Sequence, residues 1–433
     1  MHKLTLVAIM MLGAMRPELA EAQSSEVYEQ PPINYSITPA RDAVTRLQTR
    51  LAAGELKFTG SGKDILQTLL RELAIPVESQ MLVFSKTSFQ RKLIRPDRPR
   101  AIYFSDTCYV GWVPYGLIEI AAIDPALGPV FYSLDPNAAA APIVRDNECL
   151  SCHGGAFVRG IPGVFARSVF TEPTGEPLLR HGTEVVDFRT PFTNRWGGWY
   201  VTGQHGGSLH RGNVFARDEQ DQLLVDLKRG ANLADLSRFF DQRLYPTDGS
   251  DIVALLVFEH QLAMQNTLTR AGINCRRMLT YQRNLQRELK DPVTDELTYD
   301  SVKRVFDSSA KEVVDDLLFK DEALLPEGLA GAKAFQVTFG ADARRTDQGD
   351  SLKDFHLQGR LFRNRCSYLI YSDSFLALPE ALKRRVYERL AHALHPAQPH
   401  PQYAYLEAEE KARIAHILKQ THPEFRSALE ASN

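Results

Sequence analysis

AIYFSDTCYVGWVPYGLIEIAAIDPALGPVFYSL, residues 101–134, is the stretch that sets the fold class. Within it, Ala101 to Phe104, Tyr109 to Val113, Leu117 to Ala121 and Val130 to Leu134 are short runs rich in β-branched and aromatic residues. Asp106, Pro114-Tyr115-Gly116 and Asp124-Pro125 separate them. Runs of that length bounded by turn formers read as strands, so a small, largely antiparallel sheet is expected. Toward the N-terminus, Thr38-Pro39 reads as a helix start, with Val44, Leu47 and Leu51 on one face of a helix reaching about Ala53. A second helix over 63–73 carries Ile65, Leu66, Leu69, Leu70 and Leu73 inward. Neither apolar face carries reactive groups, and both read as core.

Toward the C-terminus, a low-complexity linker over 138–142 leads to Cys149-Leu150-Ser151-Cys152-His153. C-x-x-C-H is the attachment signature of a c-type haem. Two thiols three positions apart can each add to one haem vinyl group, and the adjacent histidine is then placed as proximal iron ligand. Cys149 and Cys152 are therefore the expected covalent anchors of one haem c, and His153 an axial ligand. A redox dithiol expects a thioredoxin-like setting, which the Pro/Ala-rich lead-in and Gly154-Gly155 do not resemble. A zinc site needs further paired Cys or His ligands, and no second C-x-x-C is present. The remaining cysteines, Cys108, Cys275 and Cys366, are odd in number and read as buried thiols with room for at most one bridge.

The chain begins with His2 and Lys3 before an apolar run over 4–14, followed by the small-x-small triplet Ala20-Glu21-Ala22. That is the pattern of a cleaved export signal, expected over 1–22. The run is too short to span a bilayer, and no later segment is long and apolar enough for a membrane helix. Covalent haem attachment takes place outside the cytoplasm, so signal and motif agree on a periplasmic or secreted protein. The chain has 433 residues, 44% apolar and 24% charged, with a net charge of -2. Such a length buries a large core, and the charge balance gives no basis for nucleic acid or an anionic membrane as partner.

Residues 159–213 are rich in glycine, arginine, histidine and tryptophan. Glycine admits close approach of a ligand, while aromatic and cationic side chains can pack a porphyrin and pair with its propionates. Arg195, Trp196 and Trp199 are the residues expected to face the haem, with His205 and His210 in a glycine-rich loop as distal-side candidates. Beyond them, Asp251 to about Leu289 reads as a long helix capped by Thr247-Asp248-Gly249-Ser250, with a kink expected near Gly272. His260 and Met264 share one apolar face of it, and both are haem-ligand types. His260 is the expected sixth ligand, although a buried histidine is often only hydrogen-bonded.

The C-terminal third reads as amphipathic helices over 299–318, from Leu376 or Leu378 to Leu394, and over 407–418, with short apolar runs at Phe335 to Phe339 and Cys366 to Tyr371 that can add strands. The expected architecture is α+β, mainly helical, with a small antiparallel sheet beside the haem segment. The expected divisions are 23–140 for the first helices and sheet, 141–290 for the haem region with its long helix, and 291–433 for the helical remainder.

The motif and export signal resemble c-type cytochromes. The blocks Ala101 to Val113, Glu148 to Gly155, Arg195 to Gly203, Glu259-His260-Gln261 and Cys366 to Ser372 resemble a family of secreted bacterial single-haem proteins of a planctomycete cytochrome c type. The resemblance implies haem and export rather than a particular reaction. In that family a histidine often follows the methionine of the long helix, whereas this chain has Gln265 after Met264. Electron transfer with a redox partner protein is the expected function. A haem enzyme with an open sixth position, peroxidase-like, and a haem-bearing sensor or binding subunit are the alternatives.

Overall fold

The computed structural model describes residues 26–139, 141–395 and 400–431, so the expected export signal lies outside the described residues. The stretch over 101–134 forms the centre of a sheet, with strands β1 (Met81–Val83), β2 (Arg100–Phe104), β3 (Cys108–Trp112), β4 (Ile118–Asp124), β5 (Gly128–Leu134), β6 (Ile143–Arg145), β7 (Ala166–Ser168), β8 (Glu184–Val186) and β9 (Trp199–Tyr200) numbered along the chain. Seven of them form one antiparallel sheet in the order β6-β5-β4-β3-β2-β1-β9. β7 and β8 pair separately. The sheet is larger than the strand runs alone suggest, because β6 and β9 come from beyond residue 140 and complete it across the expected division.

Side chains alternate between the two faces of a strand, and here both faces are buried. Tyr103, Val110, Trp112, Ile120 and Tyr132 pack with Val44, Leu47, Leu66 and Leu70 on one face. Those partners come from α1 (Ala43–Ala52) and α2 (Gly62–Glu72), each begun by a capping box, at Asp42 with Thr45 and at Ser61 with Asp64. The first helix thus starts at Asp42 rather than at Thr38, whose hydroxyl donates to the Ile33 carbonyl instead.

The opposite face, with Phe104, Tyr109, Ala121 and Phe131, packs on the longest helix. After the C-x-x-C-H turn α3 (Leu150–His153), that helix is α4 (Ile252–Leu289), and it runs unbroken through Gly272, where the sequence reading expects a kink. Asp251 caps it by accepting from Val253 and Ala254 N–H at 3.0 Å each. Helices α5 (Asp300–Leu317), α6 (Lys333–Gly340), α7 (Asp373–Leu376), α8 (Glu380–Ala393), α9 (Ala408–Thr421) and α10 (Pro423–Ala431) complete the chain. Residues 335–339 are therefore helical rather than a strand, with Phe335 and Phe339 stacked one turn apart at 5.7 Å. Tyr368–Tyr371 is a 3-10 turn for a related reason, since a short apolar run has no period that separates strand from helix. The fold is α+β. Cys108, Cys275 and Cys366 are buried free thiols. Among the described residues, no helix is long and apolar enough to cross a membrane.

Candidate haem-binding site

β6 delivers the chain into the motif. Asp146 accepts from Glu148 N–H at 3.0 Å and so starts the 3-10 turn Asn147–Cys149 that runs into α3. Residues three apart on a helical turn share a side, so Cys149 and Cys152 project together. Cys149 is partly enclosed and Cys152 is exposed; both are free thiols. Burial first, then Asp146 and Glu119, pushes the Cys149 thiol up to about 12.

His153 is held more tightly than either cysteine. Its Nδ1 lies 2.9 Å from the Gly163 carbonyl oxygen, and Gly163 N–H returns a bond of 2.8 Å to the His153 carbonyl. A carbonyl only accepts, so Nδ1 carries the proton and Nε2 keeps a bare lone pair. The ring sits between Phe131 at 4.8 Å and Phe165 at 5.0 Å. Burial holds the imidazole below its ordinary value, opposed by the Gly163 bond, which leaves it neutral. A neutral imidazole with one nitrogen anchored to a backbone carbonyl is the form in which histidine binds a metal.

Two arginines flank the motif. Arg100, at the start of β2, acts electrostatically on both Cys149 and His153 and stands 2.6 Å from Glu119. Its buried Nε has no partner among the described residues, so the guanidinium retains a free donor for an anion. It lies across β3 at Gly111, where a Cβ would meet Arg100 Nη2 at 2.1 Å. Arg167 acts on Cys152 and covers the Phe157 ring at 5.0 Å. Two thiols on one side, a neutral imidazole and two cations fit a covalently held, anionic porphyrin. Among the described residues, no group of three or more His, Cys, Asp or Glu converges as a metal cage would.

Arg195 and Trp196 are placed elsewhere, which corrects their expected role. Arg195 is buried and donates from Nη1 to Glu259 at 2.5 Å, from Nε to the Thr190 carbonyl at 2.8 Å and from Nη2 to the Phe188 carbonyl at 3.1 Å. Trp196 Nε1 donates to the other Glu259 oxygen at 2.7 Å, and its backbone is held in the left-handed region at φ 66°. Arg195 is 1% exposed, with its charge matched by Glu259, so the guanidinium is committed to the core rather than to a propionate. Trp199 lies nearer the motif, with its Nε1 on the Arg167 carbonyl at 2.7 Å. His205 and His210 pack on each other at 4.6 Å behind Trp196.

His260, expected as sixth ligand, is buried among Phe319, Phe362 and Tyr368. Its Nε2 pairs with the Ser367 hydroxyl at 2.8 Å, and its ring stacks on Phe319 at 4.1 Å. The segment after the C-x-x-C-H turn meets α4 through Asn266, which bonds Val164. His260 shares no ring neighbour with His153. A cleft of about 450 Å³ opens beside the motif, lined by Phe157, Arg159, Phe165, Leu262, Asn266 and Arg270 among others. Phe165 is common to the cleft and to His153. Comparison with protein families, with curated proteins and with solved structures finds no match to this chain.

Proposed function

We propose that the chain is an exported single-haem c-type protein that acts in electron transfer, exchanging electrons with a redox partner protein. The observation that carries this reading is the His153 Nδ1 bond to the Gly163 carbonyl beside two free thiols of a C-x-x-C-H turn. In this reading Cys149 and Cys152 anchor the porphyrin and His153 is its proximal ligand. Bound haem supplies a one-electron couple. The chain's own residues fix the rest: Phe131 and Phe165 set the plane of the imidazole, Gly163 sets its tautomer, and Arg100 and Arg167 offset anionic substituents.

A haem enzyme with an open sixth position is the second reading. It is favoured by the cleft of about 450 Å³ that shares Phe165 with the motif, and by the burial of His260 among Phe319, Phe188 and Tyr368. One experiment tests both readings. The full chain is matured in an exporting host with haem-attachment machinery, stained for covalent haem on a denaturing gel, and titrated with carbon monoxide in the reduced state. Staining lost or altered in Cys149→Ala and Cys152→Ala, with a disturbed spectrum in His153→Ala, is expected. Staining and spectra unaltered across the three variants refute the haem reading. A low-spin spectrum indifferent to carbon monoxide supports electron transfer, and ready carbon monoxide binding moves the enzyme reading ahead.

A further inference from the structure

We propose that Asn266, on α4, is a positioning residue that tunes the iron through the proximal histidine; this rests on the haem reading above. The peptide between Gly163 and Val164 has two hydrogen-bonding ends. Its carbonyl, Gly163 O, accepts from His153 Nδ1 at 2.9 Å. Its N–H, on Val164, donates to Asn266 Oδ1 at 3.0 Å. A trans peptide points these two groups in opposite directions, so one planar amide lies between His153 and Asn266. Asn266 closes the arrangement by donating from Nδ2 to the Val164 carbonyl at 2.7 Å, as a neighbouring strand would.

The pieces around this contact leave little freedom. A Cβ on Gly163 would lie 2.8 Å from Asn266 Oδ1 and 2.8 Å from Val158 Cβ. Only glycine lets the peptide approach the helix this closely, and the approach brings its carbonyl within reach of the His153 ring. Hydrogen bonds in series polarise one another. Acceptance by Asn266 draws the N–H outward, makes Gly163 O more negative and strengthens its hold on the Nδ1 proton. The imidazole then donates more electron density at Nε2 and favours ferric over ferrous iron. Partners in this outer position tune a metal through its ligands.

The test compares the matured full chain with Asn266→Leu and Asn266→Asp, reading the midpoint potential by optical titration at pH 8. Asn266→Leu removes the acceptor and is expected to raise the ferrous-to-ferric ratio at a fixed ambient potential about threefold to tenfold, which is about 30 to 60 mV at 59 mV per decade for one electron. Asn266→Asp keeps an acceptor for Val164 N–H, adds negative charge, and is expected to move the ratio the other way. A packing role alone does not give shifts of opposite sign. If Asn266→Leu fails to accumulate, Asn266→Ala, which also removes the acceptor for Val164 N–H and adds no charge, decides: a rise in potential supports the role and an unchanged potential overturns it. Wild-type protein that carries haem, with Asn266→Asp at or above the wild-type potential, overturns the role of Asn266 and leaves the haem reading standing. Wild-type protein without covalent haem overturns the haem reading itself.

Discussion

Glu259→Gln tests whether the Arg195 pair is structural. Both side chains are 2% exposed and meet at 2.5 Å, so neither charge is screened by water. Above pH 7, where Glu259 is ionised, a glutamine of the same size still accepts from Trp196 Nε1 but leaves the guanidinium charge without a counter-charge. Breaking a buried pair in this way costs about 3 to 5 kcal/mol. The reverse change, Arg195→Met, is expected to cost less at pH 7. Burial already pushes Glu259 up to about 7 against the opposing pull of Arg195, so without the arginine the carboxyl is neutral there. What remains is the loss of partners at the Thr190 and Phe188 carbonyls, about 1 kcal/mol each.

A raised folded pKa stabilises below the unfolded value and loses that contribution as pH rises through the folded value. The Arg195→Met deficit should therefore grow above pH 7. Urea unfolding followed by far-ultraviolet circular dichroism, at pH 6 and pH 8 and with matched haem content, measures each term. A Glu259→Gln cost under about 1 kcal/mol at pH 8, where the carboxylate is ionised, refutes the reasoning.

The buried histidine of α4, His260, gives an acid signature. Burial lowers His260 to about 3, so the unfolded chain takes up a proton below about 6.5 that the folded chain refuses, and stability falls with pH at about 1.4 kcal/mol per unit; His260→Phe should flatten that slope, seen as a lower acid-unfolding midpoint. Gly111→Ala should cost about 1 to 3 kcal/mol by displacing Arg100, and adding Arg100→Ala should recover part of the loss if the clash is the cause, both read from urea midpoints. Asp251→Ala removes a buried cap that also accepts from Ala332 N–H, and a loss of about 2 to 4 kcal/mol is expected by the same measurement.

The strands over 101–134 are legible because short runs of β-branched and aromatic residues recur between proline, glycine and aspartate turns. β1 and β9 were not legible as partners, since nothing local in Val83 or Trp199 announces their pairing. Arg195 and Trp196 carry the same sequence signs whether they face a porphyrin or a buried acid. Glu259, which decides between the two, is distant in sequence and joins them only through the fold. His260 was placed on an apolar face correctly, but periodicity does not say which neighbour covers that face. Arg100 had a signal that composition alone obscures: a glycine inside a strand marks close approach of another group, and at Gly111 that group is the Arg100 guanidinium. Asn266 had a weaker one, a polar residue one turn from Leu262 on a helix that is otherwise buried there.

Because Trp199 pairs with Val83, the sheet is finished by a strand that lies far along the chain from its neighbour. Contacts of such long reach form late. Residues 149–153 fall inside the intervening excursion, so under the proposed export a chain would display them while the edge of the sheet is still open. Once β9 docks and α4 packs, Cys149 is partly enclosed while Cys152 stays exposed. On the haem reading proposed above, attachment would be a matter of timing: a ligase that arrives before the edge closes would reach both sulfurs, and one that arrives afterwards would find a single exposed thiol.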